Sequence, residues 1–243
     1  MITVPMGMKG VAPFAVALVL LAPSSHAGDT QTEVWPEAQA FFKLGERVRL
    51  HLLADLTYAP RSWTPDETAS DSEAETGAHL DLTLKPILRP RTRTRNWERE
   101  RYLWARVGYD YLWAAFDPAE PSHENRGIVE LTGRAHLGGE VFAVNRARVD
   151  FRDKNGKYST RYRERITLER ETPIFGLETV PYASAEVLYD TRYDSWSEQR
   201  YQAGLEIVLD AHWRLEPYYQ RKEDQQSEPR HTNVLGLVVK YYH

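Results

Sequence analysis

Apolar and polar residues alternate with a period of two through nearly the whole chain after residue 46, and this pattern limits the fold more than any other feature. In RVRLHLLADLTY, residues 47–58, one face holds Leu50 and Leu52 whereas the other holds His51 and Asp55. Further segments with the same pattern are 77–86, 101–113, 127–137, 141–152, 159–170, 182–190, 198–209, 213–221 and 233–243. Successive side chains of a strand point to opposite faces, so the pattern predicts an all-β protein with about ten strands.

Alternation alone does not distinguish a water-soluble sandwich or lipocalin from a membrane barrel. Three features favour the barrel: polar faces dense in opposite charges, a last strand that runs to the C-terminus, and aromatic residues near strand ends, where membrane-interface belts form. Those aromatic residues are Trp35, Trp97, Trp113, Trp196, Trp213, Tyr58, Tyr189 and Tyr241. Long polar connections also alternate with tight turns. We therefore expect an antiparallel up-and-down transmembrane β-barrel of 10 to 12 strands.

The strand number depends on residues 35–44, WPEAQAFFKL. As a hairpin arm turning at Gly45-Glu46 they would give eleven strands, whereas bacterial single-chain barrels have even numbers. Either this segment is a plug in the lumen, or one of the predicted strands in fact comprises two, for example within 86–113. Twelve strands are preferred to ten.

Residues 1–27 carry one lysine, an apolar run over 11–22 and a small-x-small site at Ser25-His26-Ala27. This predicts a secretory signal peptide, with the barrel domain in residues 28–243. Its removal takes away Lys9 and no acid, so the formal net charge changes from −4 to −5. An exported acidic chain is not expected to bind nucleic acid. The absence of cysteine excludes disulfides and thiolate metal sites.

Residues 145–171 contain seven arginines. Asn155-Gly156 is a strong signal for a two-residue hairpin turn. The turn would pair Asp150 with Arg161, Arg148 with Arg163 and Arg146 with Arg165, all on the polar face. An arginine facing lipid at mid-membrane costs about 2–4 kcal/mol, so these side chains are expected in the lumen.

Opposed arginines repel each other and need carboxylates from neighbouring strands. Glu186 is the first choice, because it lies one strand along from Arg165 and one strand before Arg200. Glu164 and Arg170 fall on the outer face and need headgroup-level positions. The predicted lumen charge network comprises Arg106, Glu130, Arg146, Arg148, Asp150, Arg161, Arg163, Arg165, Glu186, Arg200 and Glu206. Such ion pairs would largely fill a narrow lumen.

Several segments resemble the family known as domain of unknown function 2490, predicted bacterial outer-membrane barrels. They include ENRGIVELTGR (124–134), NRARVDFR (145–152), STRYRERITLERE (159–171), PYASAEVLYD (181–190) and QRYQAGLEI (199–207). The resemblance covers about residues 33–243 and implies the barrel and the signal peptide, but no activity. The family's chains usually end in Phe, whereas this one ends in His243.

A lipid-modifying enzyme is the alternative, since Ser and His with an acid can form a hydrolytic site. The inward histidines are His51, His79 and His136. In a hairpin of strands 47–58 and 77–86, His51 and His79 would be over ~10 Å apart, which argues against a shared site. We find no phosphate-binding glycine loop, no H-E-x-x-H and no calcium-loop pattern, so no cofactor or metal is expected. The acidic segment 59–76 is either a solvated loop or a surface site for divalent cations.

The sequence therefore favours a porin-like integral protein of a Gram-negative outer membrane, without catalytic activity. Its lumen would have a structural role, bind a ligand or pass a small solute, for which an anion is a candidate. The expected partners are outer-membrane lipids, lipopolysaccharide and, during biogenesis, the barrel-assembly machinery.

Overall fold

The computed structural model describes residues 30–58, 72–86, 101–115, 122–226 and 230–243. Within them a single sheet of twelve strands forms. The strands are β1 (Thr30–Lys43), β2 (Val48–Thr57), β3 (Ser72–Pro86), β4 (Arg101–Ala115), β5 (His123–Gly138), β6 (Val141–Lys154), β7 (Lys157–Arg170), β8 (Thr172–Ile174), β9 (Leu177–Asp190), β10 (Ser195–Val208), β11 (Trp213–Asp224) and β12 (His231–Tyr242). Each of the ten segments predicted from alternation corresponds to one of these strands.

Eleven of the strands form a closed wall. β1 to β7 are consecutive neighbours, β7 pairs with β9, β9 to β12 continue the sheet, and β12 returns to β1. The short β8 pairs only with the start of β9. Adjacent strands are antiparallel except at the closure, where β1 and β12 run parallel from Thr30↔His231 to Phe41↔Tyr242. The parallel pair follows from the odd number, because in an up-and-down wall of eleven strands the first and last run the same way.

The predicted all-β transmembrane barrel is confirmed, with a mixed rather than wholly antiparallel wall. The segment 35–44 is not a plug in the lumen, because residues 35–43 belong to β1, which pairs with both β2 and β12. Residues 87–100, where a merged strand was considered, lie outside the described residues, as does the predicted signal peptide. None of the described residues forms a helix long and apolar enough to cross a membrane.

The turn between β6 and β7 has the predicted geometry. Asn155 and Gly156 have φ values of 52° and 78°, the left-handed pair that a two-residue turn between twisted strands requires. The observed register pairs Asp150 with Arg161, Arg148 with Arg163 and Arg146 with Arg165, as the sequence predicts. We call the end of the barrel at this turn the Asn155 rim and the opposite end, at the β5–β6 turn, the Gly139 rim.

The barrel has charged residues inside and apolar residues outside. Asp110, Asp150 and Asp190 are 0% exposed, whereas Ile166 and Phe151, on the other face of the wall, are 57% and 55% exposed. A water-soluble sheet protein would have the reverse arrangement. An apolar outer wall with a polar interior is the arrangement of transmembrane barrels.

Aromatic residues cluster on the outer surface near both rims. Tyr189 meets Trp196 near the Asn155 rim with ring centroids 5.7 Å apart, and Trp213 meets Tyr241 near the Gly139 rim at 4.9 Å. Trp35, predicted to belong to these belts, instead lines the lumen, because the inward positions of β1 are the odd-numbered ones. Trp97 lies outside the described residues.

Candidate functional site

Arginines from three strands converge on one carboxylate in the lumen. Glu186 on β9 is only 2% exposed, and its oxygens lie 2.7 Å from Arg146, 3.0 Å from Arg163 and 3.1 Å from Arg165. Arg200, its neighbour on β10, is 4.0 Å away. Glu186, the carboxylate that the sequence favours as the counter-ion, is thus the residue around which these arginines gather. Several charge-assisted hydrogen bonds to one buried carboxylate fix the positions of β6, β7 and β9 relative to each other.

Other inward arginines of β6 and β7 also share carboxylates of the wall. Asp150 accepts a hydrogen bond from Arg148 and lies 3.7 Å from Arg163. Asp190 lies 2.6 Å from Arg152 and 3.2 Å from Arg161. Each shared carboxylate reduces the electrostatic repulsion between the two arginines that it contacts.

Two predicted network residues, Arg106 and Glu206, lie apart from the Glu186 cluster. Arg106 pairs with Asp81 at 2.6 Å, and Arg49 reaches the same carboxylate at 2.7 Å. Glu206 pairs with Lys240 at 2.9 Å. Glu130 is closer to the cluster, 3.8 Å from Arg146.

The structure adds several residues to the network that the sequence did not predict, among them Asp190, Glu124, Glu198 and Lys240. Asp190 shares the inward parity of Glu186, which could have identified it. Glu124 lies before the predicted segment 127–137 but belongs to β5, because the strand begins at His123.

The lumen contains a cavity of about 650 Å³, which we call the upper cavity. It reaches the Asn155 rim, since Lys154 and Asp224, the last residues of β6 and β11, line it. Two groups of its lining residues have opposite charge. The basic wall, on β6 and β7, consists of Arg146, Arg148, Arg152, Lys154, Arg161, Arg163 and Arg165; the acidic wall, on β1 to β3, contributes Glu33, Glu37, Asp55, Glu73 and Glu75.

A second cavity of about 220 Å³, the lower cavity, lies on the Gly139 side. Its lining includes Arg101, Trp104 and Arg134, and it shares Glu216 and Lys240 with the upper cavity. Lys240 lies 2.5 Å from Glu216 and 2.9 Å from Glu206, while the Tyr182 hydroxyl donates to Glu216. We call these four residues the constriction; all of them line the lower cavity, and Glu216 and Lys240 also line the upper one, so they lie where the two cavities adjoin.

A chain of buried polar side chains runs across β2, β3 and β4. His51 and His79 are direct cross-strand neighbours with their Nδ1 atoms 3.0 Å apart, and His79 Nε2 lies 2.7 Å from Asp110 Oδ1. The prediction that the two histidines are over ~10 Å apart is therefore wrong. β3 begins at Ser72, five residues earlier than predicted, and this shifts the register of the hairpin.

The histidine chain is shielded from the surface. His51 stacks on Phe41 with ring centroids 4.4 Å apart, and Phe41 stacks on Tyr242 at 4.7 Å. His136, in contrast, is exposed and contacts the Gly139 carbonyl at 2.6 Å.

The described residues contain no group of three or more His, Asp or Glu arranged to hold a metal ion. Of the acidic segment 59–76, residues 59–71 lie outside the described part of the chain.

The two outward charges on β7 lie where parity predicts. Glu164 is exposed and accepts a hydrogen bond from Asn145, its outward neighbour on β6. Arg170 is exposed at the end of β7, at the Gly139 rim.

Sequence comparison gives a family. The profile described as "Protein of unknown function (DUF2490)" matches residues 87–233, more than half of the chain. The chain belongs to this family. No curated protein matches the sequence.

Solved structures give two similar folds. LpxR from Salmonella typhimurium is similar with a TM-score of 0.49 and 12% identity, over 79% of this chain and 83% of that one. The beta domain of the Bordetella autotransporter BrkA is similar with a TM-score of 0.48 and 15% identity, over 79% of this chain and 81% of that one.

Proposed function

We propose that this member of the DUF2490 family is an integral protein of a Gram-negative outer membrane, and that its lumen is a binding site and narrow passage for small charged solutes. The observation that carries the proposal is the pair of cavities in series, of about 650 and 220 Å³, which adjoin at the constriction. A barrel with only a structural role would gain stability from a lumen filled by side chains.

The constriction supports a passage that is closed at rest. Lys240 on β12 bridges Glu206 on β10 and Glu216 on β11, so a single side chain holds together two carboxylates of neighbouring strands. A charged solute can compete for these groups, because ion pairs in a hydrated lumen are weaker than those in a dry interior. The expected behaviour is low conductance that rises when the bridge is removed.

The membrane position rests on the apolar outer wall and the aromatic clusters near both rims. Fractionation of cells that express the full chain tests it directly. We expect the protein in the outer-membrane fraction, extractable only with detergent. Recovery from the periplasmic fraction would overturn the membrane assignment.

Planar-bilayer recording of the purified full chain tests the passage. We expect small, infrequent conductance steps for the wild type and larger, more frequent steps for the double variant Lys240→Gln, Glu216→Gln. Lys157→Gln is the matched control, because Lys157 is an exposed lysine that lines neither cavity. No conductance and no solute uptake into proteoliposomes by either protein would contradict the proposal, and turnover of phospholipid or lipid A would support an enzyme instead.

A further inference from the structure

The upper cavity has a basic wall and an acidic wall, and most of the carboxylates that pair with the basic wall lie outside the cavity. Glu186, Asp150 and Asp190, which hold most of its arginines, are at most 2% exposed and do not line the cavity, whereas Glu124, which pairs with Arg152 at 2.7 Å, does line it. The guanidinium groups therefore coat the surface while Glu186, Asp150 and Asp190 lie beneath them. A solute in the cavity meets a mainly positive surface on this side, with Glu124 beside Arg152 as an acidic residue within it.

The acidic wall is compensated by fewer cations. Glu37, Asp55 and Glu75 are direct neighbours in one row across β1, β2 and β3. Asp55 makes no hydrogen bond or ion pair with any described residue, Glu37 accepts one from the neutral Gln39, and only Glu75 has a cation, Arg126, at 3.2 Å. Adjacent like charges on a sheet repel, so this row would be stabilised by a cation in the cavity.

The two walls lie opposite each other. Around the closed wall, β7 is five strands from β2 in one direction and six in the other. Five strands is the largest separation that two strands of an eleven-strand barrel can have by the shorter way round. The upper cavity is therefore crossed by an electric field that runs from the arginines to the carboxylates, and a low-dielectric wall focuses such a field.

Between the walls, one buried polar group has no partner. Gln220 on β11 lines the upper cavity and is 2% exposed, yet its Nε2 makes no hydrogen bond within the described part of the chain. Buried amide donors are nearly always satisfied, and leaving one unsatisfied costs about 1–3 kcal/mol. This donor matches a carbonyl or carboxylate oxygen of a ligand.

We propose that the upper cavity binds a small zwitterion, with its ammonium group at Glu37, Asp55 and Glu75 and its carboxylate or phosphate at the basic wall. The proposal rests on the proposed function and narrows it to one class of solute. The volume of 650 Å³ equals about twenty water molecules at ~30 Å³ each, which accommodates a molecule of dipeptide size. A solute with a single charge meets only one of the two walls favourably.

The test uses four probes of similar size: zwitterionic glycylglycine, cationic glycylglycinamide, anionic N-acetylglycylglycine and neutral N-acetylglycinamide. Binding to the detergent-solubilised full chain is measured by calorimetry at pH 7, where the amino groups of the probes are mainly protonated, and uptake by swelling of proteoliposomes. We expect glycylglycine to bind about tenfold more tightly than any other probe, which is the effect of one additional charge-assisted hydrogen bond.

Three variants assign the contacts. Asp55→Asn should weaken glycylglycine binding about tenfold and leave N-acetylglycylglycine unchanged, whereas Arg165→Gln should weaken both of these and spare glycylglycinamide. Gln220→Leu should weaken glycylglycine without changing the preference for a zwitterion. Glu164→Gln is the control, because it removes a carboxylate from the outer face of the strand that carries Arg165.

The outcomes separate the two proposals. Equal binding and uptake of all four probes, or preference for a singly charged probe, would overturn the zwitterion site and leave the solute passage standing. No binding and no uptake of any probe would overturn both. If Arg165→Gln fails to fold, as judged by its migration in unheated gels, Asp55→Asn and Gln220→Leu still decide the question.

Discussion

The ring of Tyr218 on β11 lies against Gly236, its direct cross-strand neighbour on β12. A Cβ at position 236 would lie 1.9 Å from the Tyr218 Cζ atom, so only glycine fits beneath this ring. Gly204 and Tyr182 repeat the relationship, with a Cβ at 204 lying 2.6 Å from the Tyr182 hydroxyl. The two glycines allow inward tyrosines to lie flat along the wall, and this keeps the space of the lumen open.

Gly236→Ala is therefore expected to push the Tyr218 ring into the upper cavity. Overpacking of this kind costs about 1–3 kcal/mol of stability, and the displaced ring should also reduce solute uptake. Swelling of proteoliposomes measures uptake, and urea unfolding measures the stability.

Gly133→Ala is the matched control for this substitution. The nearest atom to a Cβ at position 133 is Leu103 Cδ1 at 3.9 Å, an ordinary contact on the outer face. It should change neither uptake nor stability by a measurable amount. Equal loss of uptake in both variants would show that the Tyr218–Gly236 contact does not keep the lumen open.

The sequence predicts those parts of the fold that depend on local pattern. Alternation places Arg163 inside and Ile166 outside, and Asn155-Gly156 sets the register between β6 and β7, because a two-residue turn leaves no freedom to slip. Both steps need only neighbouring residues.

Registers across longer connections are not encoded in this way. The first residues of β3, Ser72 to Thr76, read as part of an acidic loop, so the contact between His51 and His79 is invisible in the sequence. The parallel closure of β1 on β12 likewise depends on the total number of strands. The acidic and basic walls lie opposite each other because of that closure. The sequence therefore shows the arginines but does not predict the cavity between the two walls.

Glu186→Gln should destabilise the barrel strongly. The substitution removes the charge that Arg146, Arg163 and Arg165 share, and breaking one side of a buried ion pair costs about 3–5 kcal/mol. Urea unfolding of the detergent-solubilised protein, followed by tryptophan fluorescence, measures this loss. Glu164→Gln, on the outer face of β7, should shift the transition by less than about 0.5 kcal/mol. Equal stability of the two variants would contradict the role of Glu186 as the centre of the cluster.

Gly156→Ala should destabilise the β6–β7 hairpin, because Gly156 has φ of +78° and an alanine there costs about 1–2 kcal/mol. The same measurement of unfolding applies. Gly45→Ala is the control, since a Cβ at position 45 has nothing within 4 Å and the residue does not have a positive φ. A loss of stability at position 45 as large as that at 156 would point to glycine flexibility in general rather than to turn geometry.

The turn between β10 and β11, outside the membrane-spanning strands, should give the barrel a stability component that depends on pH. The Asp210 carboxylate accepts hydrogen bonds from the backbone N–H groups of His212 at 2.7 Å and Trp213 at 2.9 Å, and these bonds lower the pKa of Asp210 below its ordinary value. Because the pKa is lower in the folded state, the carboxylate stabilises the fold above the unfolded pKa of about 3.9, and this contribution is lost as pH falls through the folded pKa.

Asp210→Ala should therefore destabilise the protein at pH 7 and have a smaller effect at pH 2.5. Asp210→Asn, which keeps an acceptor oxygen but no charge, should retain part of the stability and show little dependence on pH at this position. An equal loss for Asp210→Ala at both pH values would show that the side chain acts by shape alone.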